Sequence, residues 1–334
     1  MIEAGRAALT QVRALGDADR TSDEVRAVLT AALAVEEPRR ATDAPAAAQD
    51  AARPWTLSAT YDSPGLASYR QDKNWFRVKA EGLEFDCLTR LKPGSDRLLI
   101  ILNGAVARSI HPLPQFARWN WESMLNSNLL CVSDPTLTFH DDMPLGWFVG
   151  RRRSDAVEGL VRIARAAATR MRVGLERTVF YGSSGGGFAA IQAAARLPAG
   201  RAVAINPQTD IAAYGLGKRL LAEVFDPDAS FETSYSRHPE RFNATLAFER
   251  ARAEGRSPRL LLVQNLEDVA HHGSHYTPFA CRFGASLAGG VNADGSVRTL
   301  IYNGPMSHGP ESRAVAKEIA TSGLDWLLAL AAPA

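Results

Sequence analysis

Alternating apolar and polar residues first form a regular pattern near residue 80. Apolar side chains occupy positions 76 and 78 and then 83, 85 and 87, and Glu81-Gly82 between the two runs is typical of a tight turn. Alternation with a period of two is the pattern of a strand with one buried face. The pattern therefore predicts a β-hairpin at this point.

The segments that follow alternate between strand-like and helix-like patterns. Short, mostly apolar runs predict buried strands over residues 97–103, 128–133, 177–181, 202–205, 259–264 and 297–302. Helical periodicity predicts helices over residues 154–171, 186–197 and 311–330. This order predicts an α/β fold, with a mostly parallel central sheet and helices on both faces. Ligands of such sheets bind at the carboxyl ends of strands, here after Asn103, Tyr181, Gln264 and Tyr302.

The domain organisation follows from the two ends of this pattern. Residues 1–53 predict a helical extension, because Thr21 and Glu24 form a capping box before an amphipathic run and residues 38–53 resemble a linker rich in Ala, Pro and Asp. Residues 54–334 form the predicted main domain, which an irregular, partly helical stretch over residues 211–256 interrupts. The extension is a candidate contact with the main domain, with a second copy of the chain or with another partner.

Composition excludes several classes of protein. The chain has 38 basic and 36 acidic residues and a net charge of +2, so nothing indicates a nucleic-acid-binding surface. Its three cysteines lack the spacing of a zinc site or a disulfide framework. The first twenty residues lack the apolar run of a signal peptide, and the longest apolar run, residues 98–102, is too short to cross a bilayer. We therefore expect a cytoplasmic protein without a membrane span.

The strongest chemical signal is the segment Gly182-Ser183-Ser184-Gly185-Gly186, between a predicted strand and a predicted helix. It matches G-x-S-x-G, in which a sharp turn exposes a nucleophilic serine. Small residues must lie two positions before and after that serine so that strand and helix can approach. Gly182 and Gly186 satisfy this for Ser184, whereas Tyr181 would be too large for a turn centred on Ser183. A dinucleotide-binding loop would need Gly at 184 and a P-loop would need a following Lys, which leaves a plain glycine-rich turn as the alternative.

With this elbow and its flanking elements, residues 75–330 resemble the α/β-hydrolase superfamily. The segments 181–188 and 264–268, with the later histidines, also resemble hydrolase-like proteins of bacterial surface-glycan synthesis or acylation. The superfamily resemblance implies the order nucleophile, acid, histidine. It places the histidine in the loop after the last strand, which is His308, and makes residues 211–256 a cap-like insertion.

The resemblance also suggests the remaining site residues. The acid follows the strand ending at Gln264, where Asp268 fits best, Glu267 is the runner-up, and Asp134 and Asp210 are reserves. One backbone N–H of the oxyanion hole comes from Gly185. Where lipases often have His-Gly, this chain has Asn103-Gly104, so Ala105 is the expected second donor.

The predicted function is a serine-dependent hydrolase that cleaves a carboxylic ester through a Ser184–Asp268–His308 triad. No cofactor is expected, and the substrate is a small molecule or a glycan ester. Two alternatives remain, namely an acyltransferase that uses the same triad, with a sugar as one acceptor, and a catalytically silent binding protein. The spacing of His271, His272 and His275 also admits a metal site, although no metal is expected.

Overall fold

The computed structural model describes residues 55–304 and 308–329. The predicted extension, residues 1–53, lies outside the described residues, so its helix, its linker and its role as a contact stay predictions. The described residues from Trp55 onward form one compact unit.

Every strand predicted from the hydrophobic pattern is present in the structure. Their bounds are β1 Leu57–Tyr61, β2 Asn74–Ala80, β3 Leu83–Arg90, β4 Leu98–Leu102, β5 Asn128–Val132, β6 Gly150–Arg151, β7 Ser154–Asp155, β8 Thr178–Ser183, β9 Arg201–Ile205, β10 Arg259–Asn265, β11 Gly290–Val291 and β12 Val297–Tyr302. The pattern did not predict β1 and β11, which are short and partly or fully exposed, nor the two-residue pair β6 and β7.

Ten of these strands form one sheet in the order β1-β2-β3-β5-β4-β8-β9-β10-β12-β11. β2 and β3 form the predicted antiparallel hairpin, and both Glu81 and Gly82 in its turn have positive φ. β3 pairs antiparallel with β5, and from β5 to β12 every neighbouring pair is parallel. The carboxyl ends of β4, β8, β9, β10 and β12 therefore lie along one edge of the sheet.

Helices cover the sheet and fill the long connection between β9 and β10. Their bounds are α1 Ala156–Met171, α2 Gly185–Ala195, α3 Gly215–Leu220, α4 Phe231–Arg237, α5 Pro239–Phe242, α6 Ala244–Ala253, α7 Val269–His271, α8 Thr277–Arg282, α9 Arg313–Glu318 and α10 Leu324–Leu328. The first helix starts two residues later than predicted, because the Asp155 carboxylate accepts hydrogen bonds from the Val157 and Glu158 N–H groups and caps it. Much of the predicted cap-like stretch is helical.

Two hydrophobic cores lie on opposite faces of the sheet. Leu98, Ile100 and Leu102 of β4 belong to one core, together with α1 and α2. Leu99 and Ile101 belong to the other core, together with α9 and α10. Successive side chains of a strand point to opposite faces, so an unbroken apolar run is what a strand covered on both faces requires.

None of the helices within the described ranges combines the length and the apolar character needed to span a membrane. Cys87 in β3 and Cys131 in β5 are buried, and Cys281 is exposed.

Candidate active site

Ser184 lies in the sharp turn between β8 and α2, and its backbone is strained. Its φ of 54° and ψ of −124° fall in a region that non-glycine residues rarely adopt. A side chain at Gly186 would lie 2.6 Å from the Leu102 carbonyl oxygen and 2.9 Å from that of Asn103, and one at Gly182 would overlap the backbone of Gly186. Both predicted glycines are thus sterically required, and the turn is the predicted elbow.

The loop after β4 passes beside this elbow. A side chain at Gly104 would lie 3.3 Å from Ser184 Cβ and 3.9 Å from Gly185 N. Asn103 Oδ1 accepts from the Asp134 N–H at 2.8 Å, and Asn103 Nδ2 donates to the Gly104 carbonyl at 2.9 Å. Because a trans peptide is planar, fixing this carbonyl also fixes the opposed N–H of Ala105. Gly185 N is the first amide of α2 and has no intrahelical acceptor.

Of the candidate acids, Asp268 is the one that contacts His308. Asp268 is buried at 2% exposure, and its Oδ2 lies 2.5 Å from His308 Nδ1. Glu267, the runner-up, is exposed. The reserve acids have other partners, since Asp210 accepts from Tyr235 and Asn243, and Asp134 accepts from backbone amides.

A second histidine shares the same carboxylate. His271 Nδ1 lies 3.0 Å from Asp268 Oδ1, and its ring stacks on that of His308 with centroids 3.8 Å apart and planes 9° apart. Burial alone would raise the pKa of Asp268, but the hydrogen bonds from His271 and His308 outweigh it and lower the pKa to about 2. Burial lowers the pKa of His271. The site thus contains one ionised carboxylate that is hydrogen-bonded to both of two imidazoles, and the imidazoles stack on each other.

Gln208 completes the site between the serine and His271. Gln208 Nε2 lies 2.9 Å from Ser184 Oγ and 2.7 Å from His271 Nε2. Within the described part of the chain, Ser184 Oγ hydrogen-bonds to Gln208, and His308 to Asp268. Ser184 is therefore connected to Asp268 through Gln208 and His271. Catalytic contacts are often long in free enzymes and tighten when substrate is bound.

Sequence reasoning missed Gln208, although a signal for it was present. Gln208 follows the carboxyl end of β9 by three residues, and the rule used for the other strand ends applies there as well. It also missed the buried pair Arg118 and Glu311. Arg118 Nε lies 2.8 Å from Glu311 Oε1, its Nη2 lies 3.1 Å from Ser183 Oγ, and Tyr181 donates to Glu311 at 2.6 Å. This network joins the elbow to the segment after His308.

The three histidines considered as metal ligands do not form a candidate metal cluster within the described residues, although the rings of His271 and His275 lie 5.4 Å apart. His275 Nδ1 accepts from the Thr209 N–H at 3.2 Å, whereas His271 bonds to Asp268. Ligand atoms of Asp268, His271 and His308 do lie within 4.8 Å of one another, the spacing of a candidate metal site. The two imidazoles are stacked face to face and contact opposite oxygens of Asp268, which is the geometry of hydrogen-bonded rings.

Comparison with known proteins supports the fold and leaves the activity open. A scan against protein-family models and a search of the curated proteins found no match. Among solved structures, the chain is similar to the capsule O-acetyltransferase of Neisseria meningitidis serogroup A, with 14% identity, a TM-score of 0.54, and coverage of 75% of this chain and 94% of the other. It is also similar to an S-formylglutathione hydrolase from Agrobacterium tumefaciens, with 14% identity, a TM-score of 0.50, and coverage of 76% and 93%.

A third similar structure is the Glycosylation Associate Protein complex from Streptococcus agalactiae, with 12% identity, a TM-score of 0.53, and coverage of 74% of this chain and 45% of the other. This chain therefore spans less than half of that protein. At these identities the likeness concerns the fold, and the chain has the predicted α/β-hydrolase fold.

Asp134 should make the free energy of unfolding depend on pH. It is buried and holds the loop of Trp147 beside the elbow, since its Oδ2 accepts from the Phe148 N–H at 2.9 Å. Burial raises its pKa from 3.8 to about 6. A raised pKa favours the folded state at low pH, and this contribution is lost as the pH rises through about 4 to 6. Asp134→Asn removes it, so the variant's free energy of unfolding, relative to wild type, should increase by up to about 3 kcal/mol between pH 4 and 7.

Urea unfolding of both proteins at each pH measures this difference. Asp210→Asn is a comparison variant in which a change of the same direction is expected, because burial also raises the pKa of Asp210. Its carboxylate accepts from Ala212 and Tyr235, outside the Trp147 loop. If the difference in free energy of unfolding between Asp134→Asn and wild type stays constant from pH 4 to 7, the pKa of Asp134 is not raised in the folded protein.

Proposed function

We propose that this protein is a serine-dependent enzyme that forms an acyl-enzyme on Ser184 and cleaves a carboxylic ester. The observation that carries the proposal is the strained Ser184 elbow together with the buried Asp268 that accepts a hydrogen bond from His308. A strained serine at a strand–helix turn serves to present its hydroxyl above the sheet. The roles of Ser184 as nucleophile, His308 as base and Asp268 as orienting acid follow.

In the proposed mechanism, His308 Nε2 takes the Ser184 proton as Oγ bonds to the ester carbonyl carbon. The charge that develops on the carbonyl oxygen is stabilised by the N–H groups of Gly185 and Ala105. The protonated His308 then gives its proton to the departing alcohol, and water attacks the acyl-enzyme by the same route. The ionised Asp268 stabilises the His308 cation throughout, because its pKa of about 2 keeps it charged.

A second candidate is transfer of a short acyl group to an alcohol, with a sugar hydroxyl as one acceptor. Bulky side chains surround the first turn of α2, since a side chain at Gly185 would contact Leu145 and lie 3.3 Å from Trp147. Trp147 in turn packs edge-on against Tyr214, with ring centroids 5.8 Å apart. Such crowding favours a small acyl group. The likeness to a capsule O-acetyltransferase, which matches over nearly its whole length, supports an acetyl group and a glycan acceptor.

Ser184→Ala should abolish labelling by a fluorophosphonate probe, because only an activated serine reacts with it. Loss of the nucleophile should lower ester turnover by several orders of magnitude, on the order of 10⁶-fold in a well-formed triad. Ser183→Ala is the matched control, since Ser183 is the adjacent residue with similar burial and its hydroxyl accepts from Arg118. Labelling that survives in Ser184→Ala but not in Ser183→Ala would move the nucleophile. A wild-type protein that the probe does not label would favour the silent binding protein.

The two histidines on Asp268 can be told apart by substitution. His308→Ala should remove labelling almost completely, whereas His271→Ala should keep measurable labelling, because Gln208 rather than Ser184 contacts His271 Nε2. The labelling rate of Asp268→Asn should lie between those of the two histidine variants, because this change removes the carboxylate that orients His308. The rate constants of probe labelling at pH 8 give this ranking. The reverse order of the two histidine variants would make His271 the base.

The acceptor can be identified from the breakdown of the acyl-enzyme. We expect hydrolysis of p-nitrophenyl acetate in water, because the elbow forms an acyl-enzyme regardless of the natural acceptor. Breakdown is then followed with candidate sugars and simple alcohols added, with Ser184→Ala as the blank. A many-fold acceleration with an acetylated sugar as product would establish transfer. Free acetate as the only product under all conditions would establish hydrolysis.

A further inference from the structure

Gln208 is a fully buried amide that contacts the oxygen on which the proposed chemistry occurs. It has 0% exposure, and its side chain lies against Ser184, His271 and Trp147. A buried amide beside a reactive hydroxyl can act in opposite ways, as a donor or as an acceptor, depending on which of its two ends faces the hydroxyl. The orientation of the amide therefore decides what Gln208 does.

Trp147 fixes that orientation. Its indole Nε1 lies 3.2 Å from Gln208 Oε1, and an indole N–H can only donate. The carbonyl end of Gln208 must therefore face Trp147. The NH₂ end contacts His271 and is also the end nearer to Ser184, since Nε2 lies 2.9 Å and Oε1 3.3 Å from Ser184 Oγ. Trp147 itself is held by its neighbours, because Trp147 and Phe148 both have positive φ and the Phe148 N–H donates to Asp134.

The same orientation fixes the protons of His271. Because Gln208 Nε2 can only donate, His271 Nε2 accepts, and its proton is on Nδ1, where it is donated to Asp268 Oδ1 at 3.0 Å. His271 is thus a neutral ring whose lone pair is already occupied. His271 Nε2 is therefore not available to accept the proton of Ser184, the role proposed above for His308.

We propose that Gln208 is a further catalytic residue, which donates a hydrogen bond to Ser184 Oγ and stabilises negative charge on that oxygen. The inference rests on the proposed function and adds the Gln208 N–H as a hydrogen-bond donor to the proposed active site. Ser184 Oγ also lies 3.3 Å from Gln208 Oε1, and in the proposed reaction its proton passes to His308 Nε2. The effect is greatest when the acyl-enzyme breaks down. The bond from Oγ to the acyl carbon then breaks, the bonding electrons stay on Oγ, and His308 returns its proton to Oγ.

Gln208→Met tests the donor, because Met has a similar length and no N–H. With p-nitrophenyl acetate, the burst of p-nitrophenolate measures formation of the acyl-enzyme and the steady-state rate measures its breakdown. We expect breakdown to slow on the order of 10²-fold, as for loss of one oxyanion donor, and formation to slow by less. The acyl-enzyme should therefore accumulate, and mass spectrometry should detect acetyl on Ser184.

Gln192→Met is the matched control. Gln192 is also a buried glutamine, and its Nε2 donates to the Glu240 carbonyl at 2.7 Å, away from Ser184. This variant should keep wild-type kinetics in both steps. If Gln208→Met does not fold, as judged by thermal unfolding, Trp147→Phe tests the same donor by removing the group that orients the amide, and breakdown should again slow more than formation.

Two results would overturn the inference. Unchanged rates in Gln208→Met, or equal slowing of both steps as expected from a displaced Ser184, would leave Gln208 without a catalytic role. Failure of the proposed function has a different signature, because wild-type protein would then show no burst and no labelling of Ser184.

Discussion

The close approach of β8 and α2 at Ser184 is the constraint on which the rest of the site depends. It is possible because Gly186 carries no side chain where the turn meets the Leu102 and Asn103 carbonyls, and Gly182 carries none where it meets the backbone of Gly186. Ser184 then adopts a backbone that costs on the order of 1–3 kcal/mol. The surrounding sheet supplies this energy, because β4, β8 and β9 are buried on both faces and the Ser184 N–H donates to the Ile205 carbonyl at 2.9 Å.

Around this elbow, a chain of hydrogen bonds between buried polar groups sets the orientation of each group in turn. Asp134 holds the Phe148 amide, the neighbouring Trp147 orients Gln208, and Gln208 determines which nitrogen of His271 carries the proton. Each group is satisfied by a directional partner, so rotation of one side chain would leave another buried and unpaired, at a cost of about 1–3 kcal/mol. The position of the proton on His271 is therefore set by residues that are not members of the predicted triad.

The sequence predicted the parts of this structure that depend on local patterns. The apolar run of β4 predicted a strand covered on both faces, and the spacing of Gly182 and Gly186 predicted the elbow, because each requirement appears in a short run of residues. The exposed edge strand β1 escaped prediction because it lacks a buried face. Arg118 and Glu311 escaped because their ion pair joins residues 193 positions apart, and no local pattern encodes it. Asp268 and His308 were proposed from a family resemblance, and their contact agrees with that proposal without testing their roles.

The ion pair between Arg118 and Glu311 joins two distant parts of the chain next to the site. Burial alone would raise the pKa of Glu311, but Arg118 and Tyr181 lower it, so a charged pair persists in the core. A buried pair of this kind adds little net stability, yet the loss of one partner leaves an uncompensated charge. Arg118 also donates to Ser183, and Glu311 lies three residues after His308. The pair therefore couples the position of the elbow to that of His308, so that the proposed base and nucleophile are held relative to each other by a contact that neither makes directly.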